Sequence, residues 1–379
     1  MLDLDLIRRD PELVRQALGT RGEESSLEPI LELDTRRRER IHEGDELRSH
    51  RNRVSREIGQ SGDQAPTLRL EMRQIGERIR TLEDEVKEIE GELTGLLLVL
   101  PNIPREDVPV GPDEGSNSQI RTWGQPRSFD DFEPKTHWDL NESLGIIDFQ
   151  RGVKLSGSRF YLLRDAGARL QRALITWMLD LHTLEHGYIE IYPPALVRQE
   201  TMLGSGNLPK FSDNLYHDDE DDLWLVPTAE VPLTGLHQGE ILEPGTLPIN
   251  YAAYTPCFRR EKAAAGRDTR GIKRVHQFDK VEIYKLVEPE NSDEELERMV
   301  GNAEEVLRRL DLPYRITQLC TGDLGFVSAK SYDLEVWAPG CQEWLEVSTC
   351  SNCTDFQARR SNIRFRKEAR GHTQFLHTL

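Results

Sequence analysis

Between positions 259 and 274 the chain sets Arg259, Arg260, Lys262, Arg267, Arg270, Lys273 and Arg274 against only Glu261 and Asp268. Guanidinium groups stay charged and fork toward phosphate oxygens, so a loop of this composition suits a polyanion. A charge run is also what a solvated surface hairpin carries, and composition alone does not choose between the two. Elsewhere Thr228-Ala229-Glu230 places a hydroxyl beside a carboxylate, which can hold an amino acid's ammonium through charge-assisted hydrogen bonds.

The elements that must position these groups follow from period and punctuation. Residues 251–258 and 275–286, rich in aromatic and β-branched side chains, read as two strands around the basic loop, where Gly266 and Gly271 let the backbone turn. On the second strand Lys280 and Glu282 are two apart and share a face. Residues 223–226 read as a strand delivering Thr228. Ser292 and Glu295 match a capping box for a helix running to about residue 310. Residues 332–337 and 342–350 read as a hairpin around Ala338-Pro339-Gly340, its second strand carrying Glu343 and Glu346 ahead of Ser348 and Thr349. Upstream, Leu170, Leu174, Trp177 and Leu181 have helical spacing within 169–185, and Gly187 closes that helix before a short strand at 188–192.

Met72, Ile75, Ile79, Leu82, Val86, Ile89, Leu93 and Leu96 recur at spacings of three and four, the seam of a helix that must pack on another. Ile30, Leu33, Leu47, Val54 and Ile58 mark the partner, with the turn at 59–63. Limbs of about 32 residues at 1.5 Å each give a hairpin on the order of 50 Å long. Near its tip Arg48, Arg51, Arg53 and Arg56 stand with His50 and no acidic residue. That stretch reads either as a phosphate-binding patch or as the solvated face of an oligomerisation coil. Pro101 and Pro104 stop the second helix. Residues 111–118 are polar and rich in turn formers, which predicts a linker and two domains, 1–115 and 116–379.

Composition bounds the classes. With 37% hydrophobic and 31% charged residues and a mean hydropathy of -0.61, the chain reads as soluble. Its longest aliphatic run, 96–100, is far short of the roughly 20 residues of a spanning helix. The first five residues lack the basic start of a signal peptide, and five sparse cysteines point to a reducing compartment. The expected location is the cytoplasm, with no membrane or DNA partner. A net charge of -18 repels nucleic acid overall, so an RNA partner must be met by local basic patches. His182, Glu185 and His186 match an H-x-x-E-H metallopeptidase pattern, but such a site needs a third ligand and the spacing fits a helix end. Cys350 and Cys353 lack a second C-x-x-C, and no G-x-x-x-x-G-K-[ST] loop occurs.

Phe258-Arg259-Arg260-Glu261, followed by Gly266-Arg267-Asp268 and His276-Gln277-Phe278, resembles motif 2 of a class II aminoacyl-tRNA synthetase, specifically of the bacterial-type seryl-tRNA synthetase family. Pro227-Thr228-Ala229-Glu230 is similar to that family's serine loop. Glu346-Val347-Ser348-Thr349, running on through Cys350-Ser351-Asn352-Cys353 and Asp355-Phe356-Gln357-Ala358-Arg359-Arg360, is similar to its E-[IV]-S-S stretch. Leu4-Asp5-Leu6-Ile7-Arg8 with Pro11-Glu12 resembles its opening, and 169–192 looks like motif 1, its dimer interface.

The resemblance implies an α+β fold: an antiparallel sheet with flanking helices, preceded by an antiparallel helical hairpin. It implies a homodimeric ligase that activates L-serine with ATP and passes it to tRNA(Ser), and to tRNA(Sec). Arg259, Glu261 and Glu346 would be catalytic. Arg259, Arg260, Glu261, Val275, Glu346, Val347, Ser348 and Thr349 would hold ATP, with Mg2+ on Glu346 and Thr349. Thr228, Ala229, Glu230 and Glu282 would form the serine pocket, and Arg48, Arg51, Arg53 and Arg56 would meet tRNA. Thr349 stands where the family has serine. The chain stops at Leu379, where the family continues into motif 3, so the expectation is a C-terminally incomplete enzyme. A non-catalytic paralogue that binds tRNA or partners is the alternative. A ligase acting on a carrier protein is disfavoured by the heptad arm.

Overall fold

The computed structural model describes residues 1–58, 65–262 and 270–379. The expected turn at 59–63, the side chain of Ile58 and Gly266-Arg267-Asp268 lie outside the described residues. The chain divides into two compact units, one of Leu2–Leu18 and Glu24–Leu100, the other of Met1, Gly19–Glu23 and Pro101–Leu379.

In the first unit the helices Glu28–Ile58 and Ala65–Leu98 pack along each other. Ile75, Ile79, Leu82, Ile89 and Leu93 are buried from one limb, and Ile30, Leu33 and Val54 from the other. The seam then slips, so that Leu97 is buried where the heptad reading placed Leu96. A helix with 3.6 residues per turn drifts against a 3.5-residue repeat, and one step of four absorbs the drift. Ion pairs rung the limbs: Arg78–Glu43 at 2.7 Å, Arg40–Glu85 at 2.8 Å and Arg48–Glu83 at 2.9 Å. Each contributes well under about 1 kcal/mol on an exposed surface, but together they penalise a shifted register.

The second unit rests on two four-stranded sheets. One orders Ser118–Trp123, Tyr314–Gln318, Lys330–Ala338 and Glu343–Asn352, antiparallel throughout. The other orders His377–Thr378, Gln277–Val287, Ile249–Phe258 and Ile189–Ile191, and its last pair is parallel. Helix Ser292–Arg309 buries Leu296, Met299, Val300 and Leu307 against Tyr314, Ile316, Leu334, Cys350 and Val287, tying the sheets into one core. This is the α+β class II arrangement the resemblance implies. Among the described residues no helix is long and apolar enough to cross a membrane. All five cysteines are free thiols.

Three local expectations are corrected. Ser292 begins its helix rather than capping it. A 3-10 turn at Pro289–Asn291 leads in, and Glu295 is drawn away to Lys285 Nζ at 2.7 Å. A buried ammonium competes for that carboxylate better than a backbone N–H does. The helix within 169–185 is Ala166–Asp180 followed by a π-turn, Leu181–Glu185, which Gly187 ends at φ +74°. The stretch 111–118 is no free linker: Thr321 N donates to Pro109 O and Gly322 N to Gly111 O, both at 2.9 Å, and the compact units part at Leu100 and Pro101.

Candidate active site

The register of the two longest strands builds the floor of the site. Ala253 lies opposite Glu282, Thr255 opposite Lys280 and Cys257 opposite Phe278. Directly paired residues share a face, so Lys280 and Glu282 rise together beside small, buried neighbours. Phe258 N donates to Val226 O at 2.9 Å, pinning the loop after strand Leu223–Leu225 to the same edge and bringing Thr228 over the floor.

Thr228 Oγ1 donates to Glu282 Oε2 at 2.5 Å and accepts from Lys280 Nζ at 2.9 Å and from the Glu230 N–H at 3.2 Å. A hydroxyl offers one hydrogen and two lone pairs, so Thr228 is saturated and acts as a hub. Glu282 Oε2 also takes Lys280 Nζ at 2.7 Å and the Glu230 N–H at 3.3 Å. None of these bonds uses Glu282 Oε1. Glu230 Oε1 accepts from Gln357 Nε2 at 2.5 Å, which leaves its Oε2 outside this network. Gln357 is fully buried and held by Ser205 O at 3.1 Å and Thr378 Oγ1 at 2.6 Å.

Burial, and then the charge of Glu282, pushes the Glu230 carboxyl above its ordinary pKa. Burial disfavours the Lys280 ammonium, but Glu282 outweighs it and holds that pKa above its ordinary value. Two carboxylates thus face one ammonium, and a second ammonium arriving with a ligand would balance them. Ala229, between Thr228 and Glu230, is completely buried and packs the loop down.

Arg259 lies just beyond the strand end, its Nε on Pro227 O at 3.2 Å and its guanidinium 5.0 Å from the centre of the Phe278 ring. Its backbone is locked to His276: Arg259 N donates to His276 O at 3.0 Å, and His276 Nδ1–H donates to Arg259 O at 2.9 Å. Glu261 has left-handed backbone, φ +48°, and its carboxylate meets Arg274 at 3.5 Å. Val275 is buried. Arg260 is not brought to this face. Its Nε donates to Leu215 O at 2.7 Å, its backbone N–H to Asn214 O at 2.9 Å, and its guanidinium lies 4.6 Å from the centre of the Tyr216 ring, so contacts with residues 214–216 hold it.

Glu346 and Thr349 are three apart, a spacing that sets residues of a regular strand on opposite faces. A bulge resolves this. Leu334 pairs with Ser348 and Glu335 with Glu346, leaving Val347 without a partner. Both Glu346 and Thr349 then share the face of Asp333, and Thr349 Oγ1 lies 3.0 Å from Glu346 Oε1 and 2.6 Å from Asp333 Oδ1. Ser348, across from buried Leu334, faces the other side, and Val347 is half exposed. Of this quartet only the side chains of Glu346 and Thr349 meet. Burial, then the charge of Glu346, pushes Asp333 up to about 7. Two carboxyls sharing a hydroxyl are hard oxygen donors with unrelieved like charge, which fits a divalent cation such as Mg2+.

Residues 210–379 match the model described as the tRNA synthetase class II core domain (G, H, P, S and T), and residues 1–104 the seryl-tRNA synthetase N-terminal domain. The serine–tRNA ligase of Thermomicrobium roseum is 61% identical over 381 residues, covering all of this chain and 85% of that protein. The chain belongs to the seryl-tRNA synthetase family. Among solved seryl-tRNA synthetases, that of Pyrococcus horikoshii, complexed with ATP, superposes with a TM-score of 0.94 at 43% identity, over 100% of this chain and 90% of that one. The Naegleria fowleri enzyme, in complex with AMP, gives 0.87 at 32%, over 100% and 89%.

Against this family the structure adds Lys280, Gln357 and Asp333 to the groups read from sequence. Lys280 carried a signal in its two-residue step from Glu282; Gln357 and Asp333 carried none. In the arm, Arg48 is paired with Asp45 and Glu83, His50 with Glu71, and Arg53 reaches His50 Nδ1 at 2.9 Å. Among the described residues Arg51 and Arg56 make no ion pair. Glu185 of the H-x-x-E-H pattern is taken by Arg309 at 2.6 Å.

Proposed function

We propose that the chain activates L-serine with ATP to seryl-adenylate and transfers the seryl group to tRNA(Ser), and to tRNA(Sec). The hub of Thr228, Glu230, Lys280 and Glu282 beside Arg259 carries this reading. It leaves Glu230 Oε2 and Glu282 Oε1 as acceptors for an ammonium and a hydroxyl, the two donors that distinguish serine from alanine or a hydroxy acid. The serine carboxylate attacks the α-phosphorus in line and pyrophosphate leaves, so the protein's task is orientation and charge neutralisation rather than covalent catalysis. Arg259 neutralises phosphate charge, while Glu261 and Val275 flank the nucleotide and Arg260 holds the loop behind them. Glu346 and Thr349 would hold Mg2+, which would supply neutralising charge for phosphate, with Asp333 orienting the Thr349 hydroxyl.

The unit of Pro101–Leu379 carries the catalytic site and the hairpin within Glu24–Leu100 meets tRNA, with Arg51 and Arg56 the arginines of the tip patch left to meet phosphates. The exposure of Leu170, Ile189 and Tyr192 along the motif 1 segment supports a homodimer. The proposed location is the cytoplasm, with tRNA rather than DNA as the nucleic-acid partner. The test is serine-dependent ATP–pyrophosphate exchange. Arg259→Ala abolishes it on this reading, and unaltered exchange would overturn the ATP site.

A further inference from the structure

The helix His137–Leu144 belongs to none of the groups above, yet it holds the return limb of the basic loop. His137 Nε2 accepts a hydrogen bond from Ile272 N–H at 2.8 Å. Trp138 takes two cations of the same limb, the Arg270 guanidinium 5.9 Å and Lys273 Nζ 5.7 Å from its ring centre. Lys273 is also ion-paired to Glu343, and only 13% of its side chain is exposed. Gly271, between these contacts, has φ +71°, and a Cβ there would fall on the His137 ring. Backbone conformation and space therefore both demand glycine at that point.

The helix is itself anchored. Thr136 Oγ1 caps it by accepting from Asp139 N at 3.3 Å, and the carbonyl of Lys135 packs against Gly340, where a side chain would collide. His137 and Trp138 meet edge to face with ring centres 4.8 Å apart, so each limits the other's rotation. A rigid base, two rings and three contacts in four residues form a brace.

We propose that His137 and Trp138 are positioning residues that fix residues 270–274 so that Val275, His276 and Arg259 present the conformation that takes ATP. The route is short. Lys273 is two residues from buried Val275, and His276 and Arg259 exchange two hydrogen bonds. Arg274, inside the braced limb, meets Glu261. The Ile272 bond requires Nε2 to be unprotonated, which places the His137 proton on Nδ1. Two cation–π contacts and a backbone hydrogen bond within four residues act together to select one limb conformation.

This inference rests on the nucleotide site proposed above, so its test reads ATP binding and backbone protection rather than turnover. Equilibrium dissociation constants for ATP with Mg2+, and separately for serine, are compared in wild type, His137→Ala, Trp138→Ala and the conservative His137→Gln and Trp138→Phe, with hydrogen exchange followed at the Ile272 amide. The alanine variants should exchange that amide at least tenfold faster and weaken ATP about tenfold, with serine binding within about twofold. Glutamine and phenylalanine should recover most of the loss. Unchanged Ile272 exchange, unchanged ATP affinity, or parallel loss of ATP and serine without conservative rescue would each overturn the brace. A wild type that binds ATP but forms no adenylate would count against the ligase reading alone.

Discussion

Two carboxylate clusters, on different strands of the catalytic unit, handle like charge in opposite ways. At the proposed serine pocket Glu230 and Glu282 are served by a resident ammonium, Lys280, and by a threonine hub whose every bond is used. On the bulged strand Glu346 and Asp333 share the hydroxyl of Thr349, and the strain of two negative charges is met by a proton that Asp333 retains up to about 7. The first cluster is organised before any ligand arrives. On the proposed reading the second would be completed by a cation, which would make serine recognition a fixed property of the fold and metal binding a responsive one.

The contrast breaks most severely at Lys280. Lys280→Met leaves Glu282 and Glu230 facing each other without their ammonium. Its side chain keeps 33% exposure, so the loss falls below the about 3–5 kcal/mol of a fully buried pair. The kcat/KM for serine in pyrophosphate exchange should drop about thirtyfold to a hundredfold, or about 2–3 kcal/mol, and a change under threefold would show that the hub holds without it. Glu346→Gln tests the other cluster. It should raise the Mg2+ concentration for half-maximal exchange about tenfold while leaving the serine KM in place.

Asp333→Asn gives the smallest effect, and its sign discriminates. Unfolded, Asp333 loses its proton near 3.8, and folded only near 7, so between these values the folded state binds the extra proton. Stability then declines as pH rises from about 4 toward 7. Asparagine cannot follow. Urea midpoints in EDTA should show the wild type losing ground to Asp333→Asn across that window, and parallel curves would mean that Asp333 ionises freely.

The difference between the clusters also governs what could be read from sequence. The hairpin was legible because two runs of strand-forming residues flank an arginine-rich loop, and the face shared by Lys280 and Glu282 follows from a step of two. The hub was not, since Thr228 lies 54 residues from Glu282 and Gln357 lies 127 from Glu230; only the folded chain brings them together. The capping box at Ser292 failed for a related reason: a local pattern lost its glutamate to Lys285, a partner ten residues back in sequence but next to it in the core. Arg260 was counted with Arg259 because they are adjacent, but past the strand end each takes its own partners, Pro227 for one and Leu215 with Tyr216 for the other. In the arm, where the period is carried by contacts between neighbouring turns, sequence and structure agree except where the seam slips to Leu97.

The bulge at Val347 is a matter of counting rather than chemistry. Deleting that one residue would set Glu346 and Thr349 two apart, the spacing at which plain alternation keeps both on one face, whereas inserting a residue between Leu334 and Glu335 would give Val347 a partner and turn Thr349 and Glu346 to opposite faces. Substitution and deletion scans would both pass over 347 as a tolerant, half-exposed position, while an insertion in the facing strand would conserve every oxygen donor and still dismantle the cluster. Here the reading frame of the strand, in the sense of which residue faces which way, is itself a functional group.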